Sequence, residues 1–285
     1  MQYSLTDDII ALEKKANSIR KHIIISLEKA GSGHSAGALG MADVFAALYN
    51  NVMRHDPKRP QWKDRDRLIL SAGHICPVWY AALAEAGYFP KRELWSLRKL
   101  GSPLQGHPHL GSAPGVENTG GPLGQGVSLA MGIAYALKYF EKSDARVYCI
   151  SSDGEHNEGQ VWEAALFAAK YKLDNVVLVI DRNNIQIDGT SDTVMPLEPF
   201  AKKYQAFNWR VFGVNGNNMK SVVATFKKIR TVNGKPVCVI AQTIPGKGVS
   251  FMEGKYEWHG KPPHAEEAAM ALSELSKKRT SKKTS

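Results

Sequence analysis

The sequence predicts an α/β fold: a three-layer α/β/α arrangement with a mostly parallel central sheet. Three observations carry that expectation. Residues 147–151 (VYCIS) and 176–180 (VVLVI) are short, almost unbroken apolar runs, the pattern of strands buried on both faces. Residues 161–170 between them read as a helix, so strand, helix and strand make one right-handed βαβ unit. Two further runs, 210–214 and 237–242, bracket another helical stretch at 219–229 and continue the alternation.

The elements follow in chain order. Ile9, Leu12, Ala16, Ile19, Ile23 and Leu27 recur every three or four residues, forming one apolar stripe of an opening helix that Gly31 and Gly33 close. A glycine-rich loop, GSGHSAGALG, precedes a second helix expected over 41–52. The polar, proline-containing stretch RHDPKRPQWKDRD reads as a loop. A short strand over 67–71 ends in Ala72-Gly73-His74, and a helix follows over 77–86. Residues 100–126 are rich in glycine and proline and lack periodicity. A loop of that length is usually functional or disordered, and the functional reading is favoured because its closing GGPLGQG leads into a helix over 127–140. The expectation is one domain over 1–276 with a helical N-terminal extension, then a basic, flexible tail over 277–285.

Composition narrows the function. No run approaches the roughly 18 apolar residues of a membrane span, and Asp7, Asp8 and Glu13 interrupt the place of a signal peptide's apolar stretch. The three cysteines, Cys76, Cys149 and Cys238, lie far apart, and an odd count argues against a disulfide framework, so a cytoplasmic location is expected. The net charge is +10, but Lys277, Lys278, Arg279, Lys282 and Lys283 supply half of it within the last nine residues. No nucleic-acid motif accompanies that charge, and neither nucleic acid nor a membrane is expected as a partner.

The chemistry gathers after the two central strands. Ligands of an open parallel sheet bind beyond the carboxyl ends of its strands. Asp153 and Asn183 both sit there, thirty residues apart on consecutive strands of one unit. Neighbouring strands lie about 4.8 Å apart, so both side chains can reach one small ion. A carboxylate and a carboxamide are hard donors that suit Mg²⁺ or Ca²⁺, and Mg²⁺ fills its remaining positions with phosphate and water. Gly154 lets a phosphate approach bare backbone. Asp-Gly and Asn-Asn are also common turn residues, and a plain turn after each strand remains the competing account. Other phosphate, zinc and nucleophile-elbow signatures are missing.

The segment SDGEHNEGQ…DRNNIQIDG resembles the thiamine-diphosphate motif, which opens with Gly-Asp-Gly and closes with Asn-Asn. More narrowly, the chain resembles the N-terminal half of transketolase in the form that two polypeptides share. SGH, LSAGH, GHP, GPLGQG, SDG, the Asn-Asn segment, GKGVSFME and WHG occur in order from residue 32 to residue 260. The resemblance implies thiamine diphosphate and Mg²⁺ as cofactors, with Ca²⁺ or Mn²⁺ as substitutes. It implies that the Asp153 and Asn183 side chains and the Ile185 carbonyl bind the metal, and that Gly154 holds the diphosphate through its backbone. His74 and His259 would lie near the diphosphate and the reacting centre. His34 and His259 would assist proton transfer, and His107 would contact the donor sugar near its carbonyl. Gly121 and Leu123 would line the cofactor, and Glu158 would meet the partner half. His34, His74, His107 and His259 each sit beside glycine, which permits close approach, and imidazole titrates near neutrality. His22, His55 and His109 lack that support.

The implied reaction is transfer of a two-carbon ketol unit between sugar phosphates, as in the pentose phosphate pathway. The family's activating glutamate belongs to a pyrimidine-binding domain that is not seen in this sequence. A separate C-terminal subunit, little activity without it, and an α2β2 assembly are therefore expected. Half of a 2-oxo acid dehydrogenase, a specialised transketolase acting on an unusual sugar phosphate, and a non-catalytic cofactor-binding subunit stand as alternatives. The family's first motif glycine is Ser152 here, and serine is less free to take positive φ, so a slightly reshaped diphosphate loop is expected.

Overall fold

A computed structural model describes residues 5–187 and 189–277. Helix α1 spans Ile9–Ala30. Asp8 caps it by accepting from the Ile10 and Ala11 amides, and Gly31 ends it in the left-handed conformation at φ 65°. The predicted stripe of α1 is buried from Leu12 through Leu27.

The chain turns helical again earlier than expected, as α2 (Ala36–Gly40) and α3 (Ala42–Ala47), followed by a π-helical turn at Leu48–Val52. Small residues explain the early start. A Cβ on Gly37 would lie 2.9 Å from Ile75 Cγ2, and one on Gly40 3.1 Å from the Ile244 carbonyl, so α2 packs where a larger helix could not.

Strand β1 (Arg67–Leu70) and α4 (Cys76–Ala86) come next. After the long loop come α5 (Gln125–Tyr135), β2 (Val147–Ser152), α6 (Gly159–Lys170) and β3 (Val176–Arg182). Two short helices follow that the sequence did not announce, α7 (Ser191–Val194) and α8 (Phe200–Ala206). The last elements are β4 (Arg210–Asn215), α9 (Met219–Ile229), β5 (Val237–Gln242) and an unanticipated α10 (Ala265–Ser276).

The five strands form one parallel sheet in the order β1-β2-β3-β5-β4. Residues of β2 and β3 alternate between two apolar cores. Tyr148, Ile150, Val177 and Val179 join the core under α1, α3, α4, α9 and α10. Val147, Cys149, Val176, Leu178 and Ile180 join the core under α5, α6 and α8. The sheet therefore lies between two helical layers, as the apolar runs require. Edge strand β4 is the more exposed, with Arg210, Gly213 and Asn215 facing out.

Cys76, Cys149 and Cys238 are free and buried. Among the described residues no helix is long and apolar enough to cross a membrane. Residues 278–285, most of the expected basic tail, lie outside the described residues.

Candidate active site

The candidate residues gather at the carboxyl edge of the sheet because three strand ends and two glycine-rich loops meet there. Past β1, Asn118 fixes the long loop: its Oδ1 accepts from the Leu70 amide (2.9 Å) and its Nδ2 donates to the Leu70 carbonyl (3.0 Å). The Gly120 amide donates to the Pro108 carbonyl at 2.9 Å, bringing the His107 and Gly121 turns together. Gly73 makes this possible. A Cβ there would stand 2.7 Å from the Gly121 nitrogen and 3.3 Å from His107 Cδ2. Gly121 has φ 132°, a conformation that other residues rarely adopt.

Three of the four predicted histidines form one cluster. Ring centroids are 5.1 Å apart for His34 and His74, 5.5 Å for His34 and His259, and 5.2 Å for His74 and His259. Each comes from a different loop, before α2, after β1 and before α10. His107 joins from the side, against Gly73 and Gly121.

Burial disfavours the charged imidazole and is the leading cause of lowered pKa at all four. For His34 the value falls to about 4, with His259, Arg98 and His107 adding to the effect of burial. At His259 the Asp153 charge opposes the burial effect. The cluster is therefore a set of neutral imidazoles at neutral pH, each able to take up a proton. His34 Nδ1 is buried without a hydrogen-bond partner, a polar atom of the kind that normally finds one.

At the ends of β2 and β3 the backbone wraps around Asp153. The Asp153 amide donates to the Asp181 carbonyl at 3.1 Å. Asp153 Oδ1 accepts from the Gly154 amide (2.8 Å), and Oδ2 accepts from the Asn184 amide (2.8 Å) and from Arg182 Nη1 (2.9 Å). The carboxylate is 1% exposed. Burial raises its pKa, against the opposing hydrogen bonds from Arg182 and Asn184.

Asn183 is oriented at both ends. Its Nδ2 donates to Asp181 Oδ2 (2.7 Å), and its Oδ1 accepts from the Ile185 amide (3.0 Å). Asp153 Oδ1 and Asn183 Oδ1 thus each accept one bond and retain a free lone pair. Among the described residues no three His, Cys, Asp or Glu side chains form a metal cage. The donor chemistry is instead one carboxylate, one carboxamide and a nearby carbonyl. That set fits a hard divalent ion whose remaining positions go to phosphate oxygens.

The other candidates fall around this centre. The Gly154 amide is committed to Asp153, and a Cβ on Gly154 would lie 3.2 Å from Gln186 Nε2, so this glycine is one face of a tight backbone corner. Ser152 is the last residue of β2 and lies outside the positive-φ set. The position makes no conformational demand that serine cannot meet. Leu123 is exposed, and its carbonyl accepts from Gln160 Nε2 at 2.9 Å. Glu158 is exposed at the start of α6, its Cβ 3.1 Å from where a Cβ on Gly124 would stand.

Sequence reasoning passed over four residues. Glu155, fully buried, accepts from Ser71 Oγ (2.6 Å) and from the Gly124 and Ser152 amides (both 2.8 Å), tying β1, α5 and β2 together. Asp181 is buried beneath Asn183 and hydrogen-bonded by Thr243, and burial, with Asp153 nearby, pushes its pKa up to about 7. Arg182 contacts Asp153, Asn184, Asp192 and Glu198. Arg98, at φ 61°, fills the space beside Gly106 and Gly33. A signal existed for Asp181 and Arg182, since charges at the end of an unbroken apolar strand need partners. None existed for Arg98.

Comparisons with known proteins agree in direction. The family model described as "Transketolase, thiamine diphosphate binding domain" matches residues 12–281. The chain is 41% identical over 273 residues to a 6-deoxy-6-sulfo-D-fructose transketolase subunit from Clostridium sp. (strain MSTE9), covering 96% of this chain and 99% of that one. It is 40% identical to an apulose-4-phosphate transketolase subunit from Phocaeicola vulgatus, covering 94% of each. Transketolase from Campylobacter jejuni superposes with a TM-score of 0.87 at 33% identity, over 95% of this chain and 43% of that one.

Proposed function

The chain belongs to the transketolase family, as the subunit that carries the thiamine-diphosphate-binding domain, and from that premise we propose that it supplies the metal, diphosphate and ketol-handling half of a two-carbon transfer site. One observation carries the reading. Asp153 and the Asn183–Asn184 turn close on each other, with the Asn184 amide 2.8 Å from Asp153 Oδ2, at the same sheet edge as three packed imidazoles.

In this reading the Asp153 and Asn183 side chains and the Ile185 carbonyl hold Mg²⁺, for which Ca²⁺ or Mn²⁺ can substitute. Gly154, Gly121 and Leu123 give the cofactor its bare-backbone and apolar walls. Thiamine diphosphate, when bound, supplies the electron sink for breaking and making the carbon–carbon bond. The chain's own part is orientation and proton handling. Neutral His34 and His259 take up and return the proton of the substrate hydroxyl, His74 faces the diphosphate side, and His107 donates to the carbonyl end of the donor sugar. Every one of these groups addresses the ketol end, which all ketose phosphate donors share. The far end of the sugar is left to the second subunit, so this half reads the transferred unit rather than the sugar's identity.

The partner is a C-terminal, pyrimidine-binding subunit in an α2β2 assembly working in the cytoplasm. Its seat is the outer face of α5 and α6. Leu123, Leu129, Leu166 and Phe167 are exposed there. A groove of about 510 Å³ runs between Gln125, Ser128, Leu129, Gly132, Ile133 and Gln160. The face is continuous with the Gly121–Leu123 turn of the cofactor wall and carries Glu158 at its margin, so a partner seated on it reaches the site.

The test mixes the chain with that partner, thiamine diphosphate and Mg²⁺. Donors are xylulose 5-phosphate, 6-deoxy-6-sulfofructose and apulose 4-phosphate, the last two being the sugars in the names of its relatives, with an aldose phosphate as acceptor. The expected result is a ketose lengthened by two carbons from at least one donor, and little turnover by the chain alone. Cofactor binding without transfer from any donor would leave only a binding subunit. Asp153→Ala should weaken Mg²⁺-dependent thiamine diphosphate binding at least ~100-fold, an order set by loss of a charged ligand, with the far-ultraviolet spectrum unchanged. Unaltered affinity would misplace the site.

A further inference from the structure

We propose that Arg182 acts as a resident counter-ion for Asp153, so that the divalent ion and the diphosphate bind this chain as a pair and the ion alone binds weakly. The proposal rests on the reading of Asp153 as a metal ligand. It concerns a residue to which that reading gives no task.

The geometry is specific. Arg182 Nη1 lies 2.9 Å from Asp153 Oδ2 and 3.2 Å from Asn184 Oδ1, while Nη2 lies 2.9 Å from Asp192 Oδ1 and 3.5 Å from Glu198 Oε1. The side chain of Arg182 is 11% exposed and that of Asp153 only 1%, whereas Asp192 and Glu198 are more than half exposed. The interior pair is therefore Arg182 with Asp153. The two outer carboxylates face water and are screened.

Two consequences follow for a divalent ion. Arg182 takes Oδ2, as does the Asn184 amide, which aims Oδ1 as the oxygen left for coordination. The guanidinium also sets a fixed positive charge within a few ångströms of any ion on Oδ1, in a region shielded from solvent. Asp153 alone would draw a divalent cation strongly. Asp153 already neutralised by Arg182 draws it far less, because attraction to one group is offset by repulsion from the other. A diphosphate reverses the balance, since its negative oxygens bind the ion and also meet the guanidinium's field. Ion and diphosphate then stabilise each other through Arg182, a coupling that linkage requires to be reciprocal. Asp181, the remaining carboxyl group beside Asn183, has both oxygens engaged by Asn183 and Thr243, and its charge is the same in the natural chain and the Arg182 variants.

The experiment counts free Mn²⁺ by electron paramagnetic resonance in titrations of the full chain, with and without thiamine diphosphate, in mildly alkaline buffer. Arg182→Met should bind Mn²⁺ alone about tenfold more tightly than the natural chain, equivalent to ~1.4 kcal/mol. The gain in Mn²⁺ affinity on adding thiamine diphosphate should shrink by a similar factor. Arg182→Lys keeps the charge and should stay within about threefold of the natural chain. Arg182→Gln removes the same charge and serves if the methionine variant does not fold by circular dichroism. A folded neutral variant that binds Mn²⁺ no more tightly than the natural chain overturns the proposal and leaves the cofactor reading intact. A natural chain that binds no Mn²⁺ even with thiamine diphosphate overturns both.

Discussion

His34 shows what the fold does to one residue. In the unfolded chain it takes up a proton near its ordinary value of 6.5, whereas burial in the cluster lowers its pKa to about 4. Between those values the unfolded state binds more protons than the folded state, so stability rises with pH across that window. The histidine's full contribution is thus present above about 6.5 and is lost as pH falls towards about 4. His74, His107 and His259 are shifted in the same direction. Urea midpoints measured from neutrality down into that window should therefore fall for the natural chain and fall less steeply for His34→Gln. Parallel curves would mean that His34 is not held neutral by burial. At this scale much of the candidate site was legible in the sequence, because glycine beside histidine and Asp-Gly after an apolar strand are local patterns. Arg98 and Glu155 were not legible. Their partners lie in other loops, as Gly124 and Ser71 do for Glu155, and no spacing along the chain encodes such a meeting.

The elements were legible in proportion to how strongly burial marks them. The strands over 210–214 and 237–242, and the helix over 219–229, lie within a residue of their expected bounds, since an apolar run or a strong stripe leaves little choice. Helices built on small residues were missed. Helix α2 is AGALG, and α10 buries Ala268, Ala271 and Leu275, a face too slight to stand out as a stripe. Small residues also set how closely elements approach, and α5 offers a matched pair to test this. A Cβ on Gly126 would fall 2.4 Å from Ser71 Cα, a backbone atom that cannot swing aside, whereas a Cβ on Gly132 would meet nothing within 4 Å. Gly126→Ala should lower stability by about 1–3 kcal/mol through overpacking. Gly132→Ala should raise it by up to about 1 kcal/mol, because alanine favours a helix interior. Urea denaturation of the two variants reads both signs. If both shift the same way, the close approach of α5 to the end of β1 is not what Gly126 is for.

For the whole molecule the decisive fact is how few of the groups that the proposed ketol transfer needs gather on one face. The sheet edge gathers the candidate metal donors and the imidazoles, yet the chain spans 43% of the Campylobacter jejuni transketolase on which it superposes. The charge pattern of the sequence carries no sign of where the rest attaches. The proposed seat is apolar surface left over after the core is filled. Leu129 is 46% exposed on α5 and Leu166 54% exposed on α6, on helices that pack together beside the Gly121–Leu123 turn. Isolated exposed leucines are ordinary, but Leu129 lines a groove with Gln125 and Gln160, and Gln160 Nε2 donates to the Leu123 carbonyl. If the second subunit seats there, Leu129→Glu combined with Leu166→Glu places two charges in an apolar interface and should prevent assembly, as read by sedimentation of the mixed subunits. Neither side chain belongs to the core, so the isolated chain's stability should change by no more than about 0.5 kcal/mol for each substitution. Mn²⁺ and thiamine diphosphate binding by the isolated chain should survive, because Asp153 and Asn183 follow the ends of β2 and β3 and belong to neither α5 nor α6, while ketol transfer by the mixture should be lost. Undiminished assembly would move the seat to another surface. Loss of cofactor binding along with assembly would mean that the α5–α6 face shapes the site itself rather than receiving a neighbour.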